Sequence, residues 1–370
     1  MRLRKLLSIA ITVIICFTSV FVSACTVRPE ELGVPHAQKF PNGEVASCLW
    51  DLYVLDQKIY LGGGDYDLNQ GPTDVYAYDL KLKQFVLTGT VNDEAVVSFM
   101  QIGDKLVATG TDPMEDWTVG NYYTLTEQGW EKQRVLPNAV HNFDLVEYKG
   151  KIYAGIGGNY GHYPVLVSTD GGKTFMEIPL YKEGKELPTL LEPDYSRCYD
   201  FYIFNDKLYA LVCFFVDDGY KFEIFRLDDG KMQYVANANE LSFANRSNVK
   251  IVGAKAEING KLYLVTSYLY TSTDGITFEK RELPSNAYAC DFLVEDGKMY
   301  ILGYNLNEDY TYDVLVFYLD LVSGEMRTCS CFNYPVSPLS FVKVGKYLYI
   351  GMGNKTAQHE KNGMLLRIRA

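Results

Sequence analysis

The sequence has little positive charge and very few histidines. Its 370 residues include 35 lysines and arginines against 46 aspartates and glutamates, which gives a net charge of −11. Nucleic-acid binding depends on basic surfaces that neutralise phosphates, so a nucleic-acid partner is not expected. The four histidines are too widely spread for a histidine-based metal site. They are His36, His141, His162 and His359.

The chain also lacks the short motifs of several enzyme classes. There is no GxSxG turn for a serine nucleophile, no HExxH pair for zinc and no phosphate loop. The glycine run Gly62-Gly63-Gly64 is followed by Asp65, whose charge would repel phosphate. No segment shows a helical period. These absences indicate an all-β protein without a familiar catalytic signature.

The N-terminus has the layout of a secretory signal. Arg2, Arg4 and Lys5 precede an apolar run that ends in Val22-Ser23-Ala24-Cys25. This ending resembles a bacterial lipobox, which implies lipid attachment at Cys25. We therefore expect a signal peptide at 1–24, a lipidated tether at 25–45 and the folded domain at 46–370. The expected location is extracytoplasmic, with the membrane contacted through the lipid anchor only.

A short phrase of a turn pair, a lysine and alternating apolar residues recurs seven times. Its lysines are Lys58, Lys105, Lys151, Lys207, Lys261, Lys298 and Lys346. The Asn-Gly pair before Lys261 and the Asp-Gly pair before Lys298 are typical of two-residue β-hairpin turns. Neighbouring lysines are 37 residues apart at the shortest interval, from Lys261 to Lys298, and such spacing suits four-stranded blades.

The repeats therefore predict a single β-propeller of seven four-stranded blades. The last unit has only one further strand after its hairpin, so the segment before Ala46 is a candidate for the strand that closes the ring. That segment has a weak strand pattern and contains Pro35 and Pro41. Counts of six or eight blades therefore stay open.

Three units resemble known propeller repeats. The segment from Lys58 to Gly63, followed by Phe85 at a position where tryptophan is common, resembles a kelch repeat. Two turns resemble the Asp box of sialidases and related BNR propellers. Their matching residues are Ser168, Asp170, Gly172, Thr174 and Phe175 in the first, and Ser272, Asp274, Gly275, Thr277 and Phe278 in the second. The resemblance implies a structural role, in the turn between the third and fourth strands.

Four units carry an aspartate seven residues before the turn lysine: Asp51, Asp144, Asp200 and Asp291. If the strand before each turn is innermost, these carboxylates form an incomplete ring around the channel. They could accept hydrogen bonds from the next blade, bind a cation or contact a ligand. No cofactor is established by the sequence, and calcium stays open because carboxylate oxygens suit it.

The loops after the second strands should gather at the same end of the ring. They are rich in aromatic and acidic residues, and the candidates for ligand contacts are Tyr66, Trp117, Tyr160, His162, Asp217, Asp218 and Tyr310. Aromatic rings beside carboxylates suit a sugar, whose apolar face stacks while its hydroxyls donate hydrogen bonds. The long insertion from Pro179 to Arg197 should reach this end and could cover it.

These patterns favour a monomeric, surface-anchored and non-catalytic propeller that recognises a glycan or an envelope protein. The alternative is a glycan-active hydrolase or lyase that uses two carboxylates of the same pocket. Sialidases hold their substrate with three arginines, a set that this sequence does not match. A third reading, an assembly platform, would require a large apolar surface patch.

Overall fold

The computed structural model describes residues 27–65, 70–217, 219–241 and 253–370. The expected signal peptide, the lipid attachment at Cys25 and the candidate residues Tyr66 and Asp218 lie outside these ranges. Within them, no helix is long and apolar enough to cross a membrane. The helical segments of the described chain are two short 3₁₀ turns, Val45–Ser47 and Pro284–Asn286.

The described chain is otherwise built from strands, which follow in chain order. They are β1 (Glu30–Gly33), β2 (Asp51–Leu55), β3 (Lys58–Gly62), β4 (Thr73–Asp79), β5 (Gln84–Val91), β6 (Asp93–Ala95), β7 (Phe99–Ile102), β8 (Lys105–Thr109), β9 (Thr111–Pro113), β10 (Val119–Thr126), β11 (Gly129–Pro137), β12 (Ala139–Tyr148), β13 (Lys151–Gly158), β14 (Val165–Ser168), β15 (Met176–Glu177), β16 (Leu180–Lys182), β17 (Lys185–Glu186), β18 (Tyr195–Phe204), β19 (Lys207–Val216), β20 (Gly219–Asp228), β21 (Lys231–Asn237), β22 (Lys255–Ile258), β23 (Lys261–Val265), β24 (Leu269–Ser272), β25 (Glu279–Arg281), β26 (Tyr288–Glu295), β27 (Lys298–Leu306), β28 (Tyr312–Asp320), β29 (Met326–Tyr334), β30 (Ser337–Val344), β31 (Tyr347–Gly353) and β32 (Leu365–Arg369).

Within the described residues the strands form a single all-β propeller with five separate four-stranded blades. These blades are β2 to β5, β7-β8-β10-β11, β22 to β25, β26 to β29, and β30 to β32 with β1. In the last, β1 pairs antiparallel with β32, so residues near the start of the described chain complete a sheet built from its end. The innermost strands β2 and β30 contact each other, which closes the ring.

The prediction of seven four-stranded blades, with six or eight as the alternatives, is therefore wrong. The hairpins around Lys151 and Lys207 belong to one twelve-stranded sheet, in which β13 pairs with β18 through Gly157 and Arg197. A glycine at 157 is needed within the hairpin itself, because a Cβ there would lie 2.6 Å from Cδ2 of His141 on β12. The sequence repeat identifies the hairpins. Backbone pairing such as that between β13 and β18 determines which hairpins form separate sheets.

The hairpin turns have the backbone geometry that the sequence predicts. Both turn residues of the first hairpin, Asp56 and Gln57, have positive φ angles of 47° and 63°. Asn205 and Asp206 repeat this geometry with φ of 49° and 53°. Positive φ at both central positions matches the right-handed twist of the flanking strands, so the turn residues determine the register of each hairpin.

The hydrophobic core lies between neighbouring sheets. Its largest fully buried side chains include Phe201, Phe204, Phe225 and Phe317. The first strands of the hairpins are buried on both faces near their starts, as expected for strands between blades and channel. The cysteines of the described residues are free thiols, and four of them, Cys48, Cys198, Cys213 and Cys290, are buried. Packing thus holds the ring together without disulfides.

Candidate functional site

Three of the four aligned aspartates accept a hydrogen bond from the next inner strand. The backbone N–H of Phe99 donates to Oδ2 of Asp51 at 2.8 Å, and that of Phe201 donates to Oδ2 of Asp144 at 2.9 Å. The N–H of Phe341 makes the same contact with Asp291 at 3.3 Å. Each carboxylate therefore satisfies a backbone donor of the neighbouring unit, which stabilises the contact between inner strands.

The fourth aspartate, Asp200, forms an ion pair with Lys255 instead. Lys255 Nζ also lies 2.6 Å from Oδ2 of Asp144, so one ammonium joins two carboxylates of the channel. Lys255 directly follows Ala254, which occupies the aspartate position in its own unit. The sequence patterns did not identify Lys255 as a site residue. The described residues contain no group of three or more histidine, cysteine or acidic residues arranged for a metal ion.

A cavity of about 530 Å³ lies in the channel beside this ion pair. Each hairpin has its turn at one end of the ring, which we call the hairpin face. The second strands finish at the opposite end, which we call the loop face, and Asp51 lies towards that end because it pairs with Gly62, the last residue of β3. The cavity-lining residues run from the aspartate positions towards the hairpin turns, for example from Asp144 to Glu147. The cavity thus extends from the ion pair towards the hairpin face.

The loop face carries a continuous row of aromatic rings. Tyr160 lies edge-on to Tyr195 at 6.3 Å between ring centroids, Tyr195 stacks on Phe215 at 4.5 Å, and Phe215 lies 6.5 Å from Tyr220. Tyr160 and Tyr220 are 46% and 67% exposed. We call these four residues the aromatic row. Its exposed ends offer ring surface to a ligand, while its middle is held by stacking.

Arg197 lies over the middle of the aromatic row. The guanidinium carbon is 5.0 Å from the ring centroid of Tyr195 and 5.4 Å from that of Phe215. Its Nη1 donates a long hydrogen bond of 3.4 Å to the hydroxyl of Tyr199. Rings on several sides restrict the guanidinium to one position. A planar cation with five donors is thereby fixed beside the exposed tyrosines.

A second series of tyrosines lies farther round the same face. Tyr268, Tyr288, Tyr304 and Tyr312 follow one another at centroid distances of 5.4, 5.6 and 5.6 Å. Lys280 Nζ is 3.6 Å from the ring centroid of Tyr268. Two separate parts of the loop face therefore present aromatic rings with a cation beside them.

Acidic side chains are buried near the loop face, where β6 pairs with β9. Burial and the negative charges of Asp112, Asp65 and Asp93 raise the pKa of Glu94 to about 7. Burial also raises the pKa of Asp93 to about 6, against hydrogen bonds from Tyr123 and Asn121 that lower it. Carboxyls with raised pKa values can exchange protons near neutral pH. We call Asp65, Asp93, Glu94 and Asp112 the acid cluster.

His141 adjoins the acid cluster. Its Nδ1 lies 3.1 Å from Oδ1 of Asp112, and β12 brings it beside Thr111 of β9. Asp112 has a positive φ of 54°, an uncommon conformation for a residue other than glycine. Sequence reasoning missed Asp93, Glu94 and this histidine contact, because β6 and β9 lie outside the repeated hairpins. The available signal was the adjacent acidic pair 93–94 immediately before an apolar run.

The predicted loop residues within the described ranges belong to several loops, two of which adjoin each other. Trp117, Asp217 and Tyr310 are exposed. The Trp117 carbonyl accepts a 2.8 Å hydrogen bond from Asn159, so its loop adjoins that of Tyr160. His162 contacts Glu177, with Nδ1 2.7 Å from Oε1.

The insertion from Pro179 to Arg197 begins at an outer edge and ends on the loop face. Its first strand, β16, pairs in parallel with the outer strand β21. Later in the insertion, the Leu190 carbonyl accepts a 2.7 Å hydrogen bond from the N–H of Gly161. The insertion therefore contributes Tyr195 to the aromatic row and Arg197 above it, and it supports the Tyr160 loop.

Both Asp-box-like turns connect a third to a fourth strand and are closed by their own side chains. Asp170 accepts hydrogen bonds from the N–H groups of Lys173 and Thr174, and Asp274 from those of Ile276 and Thr277. Ser168 and Ser272 bond to the same aspartates, and Thr174 bonds to Asp170. Each turn is also held from another unit, since Tyr122 donates to the Gly172 carbonyl and Tyr202 to that of Gly275.

The aromatic residues of these two turns pack inwards. Phe175 is buried and lies edge-on to Tyr122 at 6.2 Å, and Phe278 lies edge-on to Tyr202 at the same distance. The two turns therefore join strands of neighbouring units by hydrogen bonds and by ring packing. They lie between outer strands, away from the aromatic row and the acid cluster.

The strand order defines the chain as a β-propeller protein. No family model matches it, and no curated protein matches its sequence. Among solved structures it is similar to the β-propeller domain of the trilobed protease from Pyrococcus furiosus, with 12% identity, a TM-score of 0.48 and coverage of 87% of this chain and 95% of that chain. It is also similar to a polysaccharide lyase, an ulvan lyase, with 11% identity, a TM-score of 0.49 and coverage of 89% and 92%. These likenesses concern the shape of the propeller.

Proposed function

We propose that the protein is a binding propeller that recognises a carbohydrate through its loop face. The observation that carries the proposal is the aromatic row from Tyr160 to Tyr220 with Arg197 fixed over its middle. The apolar face of a sugar ring stacks on exposed aromatic surface, and its hydroxyls need fixed donors and acceptors. Arg197 supplies donors, and the exposed Asp217, in the turn that joins Phe215 to Tyr220, is a candidate acceptor.

The proposal includes attachment to the membrane through a lipidated Cys25. Its support is the sequence Val22-Ser23-Ala24-Cys25 after a basic and apolar leader. A propeller held in this way would present its binding face outside the cytoplasm. Mass spectrometry of the protein extracted from membranes should find an N-terminal peptide that begins at a diacylated Cys25. An unmodified cysteine in an intact leader would contradict the anchor.

A second candidate function is hydrolysis or lysis of the bound carbohydrate. The observation that favours it is the pKa of about 7 at Glu94, raised by burial and by the negative charges of Asp112, Asp65 and Asp93, with His141 beside Asp112. A carboxyl that is half protonated at neutral pH can donate a proton to a leaving oxygen, and an ionised neighbour can accept one. This alternative would use the same bound sugar.

The test is a binding screen of the full-length protein against neutral and acidic oligosaccharides, sialosides and cell-wall glycans. For the best ligand, the Tyr160→Ala/Tyr220→Ala double variant should bind at least about tenfold more weakly, since each lost stacking contact costs about 1 kcal/mol. Leu82→Ala, which removes an exposed apolar side chain in an outer turn, is the matched control. Unchanged affinity in the double variant would contradict the proposal.

The same ligand separates binding from turnover. If the ligand is recovered unaltered after long incubation, the protein is a binding module. If products accumulate with the wild type but not with Glu94→Gln, the enzyme alternative replaces it. Binding by Glu94→Gln must be measured in parallel, so that lost turnover is not confused with lost affinity.

A further inference from the structure

The channel cavity is separate from the aromatic row and has its own chemistry. Its walls are mostly apolar, and its volume of about 530 Å³ lies in the range of small-molecule sites. The apolar wall comes from three inner strands and their neighbours. Its large side chains are Phe99, Met100, Phe143, Leu145, Phe292 and Leu293.

The charged residues of the cavity carry an excess of negative charge. Asp144 and Asp200 line it with one cation, Lys255, and the exposed Glu147, which accepts the N–H of Gly103, adds a third carboxylate at the end nearest the hairpin turns. The side chains of Asp144 and Asp200 are only 11% and 5% exposed, and Lys255 bonds to both of them. Low exposure weakens solvent screening, so the excess negative charge favours a cation in the remaining space.

Asp144 retains an oxygen that could accept a hydrogen bond from a ligand. Its Oδ2 takes both the Phe201 N–H and Lys255 Nζ. Its Oδ1 accepts no hydrogen bond from another residue of the described chain. A carboxylate that lines an apolar cavity with one oxygen unused suits a positively charged donor.

We propose that this cavity is a second binding site, for a primary amine with a compact apolar body. The ammonium group bonds to Asp144 beside the Lys255 ion pair, and the apolar body lies against the phenylalanine and leucine side chains. A ligand that enters from the hairpin face leaves the loop face free. The site is thus independent of carbohydrate recognition, and the protein can hold both ligands at once.

The test compares three probes that share one apolar body: 4-phenylbutylamine, 4-phenylbutanol and 4-phenylbutyrate. Calorimetry with the full-length protein at neutral pH should show that the amine binds at least tenfold more tightly than the alcohol. The carboxylate should bind more weakly still, because it meets three like charges. Equal or tighter binding of the carboxylate would overturn the proposal, as would failure of all three probes to bind at millimolar concentration.

Two variants locate the site. Asp144→Asn keeps the shape of the side chain, and it should lower amine affinity at least fivefold while leaving the alcohol unchanged. Ala256→Met fills the cavity from its wall and should weaken the amine and the alcohol alike. If Asp144→Asn fails to fold, Ala256→Met still decides the question, because amine binding that survives it lies elsewhere.

A variant of the loop face separates this test from the test of the proposed function. Tyr160→Ala/Tyr220→Ala should leave amine affinity unchanged, whatever it does to carbohydrate binding. If it abolishes amine binding, the amine occupies the loop face, and the proposed cavity site is contradicted. Loss of carbohydrate binding with intact amine binding supports both sites.

Discussion

Two groups of buried carboxylates differ in what surrounds them. Asp51, Asp144 and Asp291 each accept a backbone N–H of the next inner strand, and Asp200 pairs with Lys255. In the acid cluster, burial raises the pKa values of Asp93 and Glu94, against hydrogen bonds from Tyr123 and Asn121 at Asp93 and with the negative charges of Asp112, Asp65 and Asp93 at Glu94. Burial alone therefore does not mark a functional acid. The channel aspartates join neighbouring inner strands through their donors, whereas Asp93 and Glu94, whose pKa values are raised, can exchange protons near neutral pH.

The largest effect should follow loss of a channel aspartate. Asp144→Ala removes the acceptor for the buried Phe201 N–H and one of the two partners of Lys255, so the free energy of unfolding should fall by about 3 kcal/mol. Urea denaturation measures it, and Asp104→Ala, at an exposed turn, is the control. A loss below about 0.5 kcal/mol would show that the channel aspartates do not stabilise the fold.

The acid cluster should give a pH dependence of stability with a defined sign. The folded pKa of Asp93 is about 6, above the unfolded value near 4, so the folded state binds the proton more tightly. The stabilisation of the folded state by protonated Asp93 is fully present below pH 4 and is lost as the pH rises through 6. The free energy of unfolding should fall by about 2–3 kcal/mol over this range. Glu94 should extend the same trend to about pH 7.

Urea midpoints between pH 4 and 8 measure this trend in the wild type, Asp93→Asn and Glu94→Gln. Each variant should flatten part of the decline, because an amide does not titrate. Stability that rises from pH 4 to 7 in the wild type and is unaltered by either substitution would show that these acids are not perturbed.

A smaller effect is expected at the Asp-box-like turns. Asp274→Ala removes the acceptor for two backbone N–H groups, a change comparable to the loss of a helix cap, and should cost about 1 kcal/mol. Asp170→Ala should act in the same direction. Carbohydrate affinity should not change in either variant, with Glu279→Ala as an exposed control. Altered affinity would place these turns in the binding site.

The smallest effect on stability is expected at the exposed end of the aromatic row. Tyr220→Ala should change the free energy of unfolding by less than about 0.5 kcal/mol, because the ring is mostly in solvent. Its effect should appear in carbohydrate affinity instead. A large loss of stability would mean that the row is part of the core and would weaken the distinction between the two regions.

The sequence predicted the hairpins and the positions of the channel aspartates from local patterns. Turn pairs such as Asn205-Asp206 require positive φ, and alignment on the turn lysine places Asp51 and Asp144 at equivalent depths. The number of separate blades was not predictable in this way. It depends on the contact between Gly157 and Arg197, which are far apart in the repeat pattern.

The candidate sites were only partly predictable for the same reason. Tyr160 was identified from its loop, but Tyr195 and Phe215 belong to strand ends whose meeting depends on the ring. Lys255 lies one residue from the aligned position, and only the closed channel brings it between two aspartates. Contacts between different units cannot be recognised from the spacing of residues within one repeat.

The most direct measurement is carbohydrate affinity and unfolding free energy for two variants side by side, Tyr160→Ala/Tyr220→Ala and Asp51→Ala. We expect the tyrosine variant to lose affinity at least about tenfold and to keep its stability. We expect Asp51→Ala to lose stability and to keep its affinity, since the partner of Asp51 is the buried N–H of Phe99. Retained affinity in the tyrosine variant together with lost affinity in folded Asp51→Ala would contradict the proposed binding face.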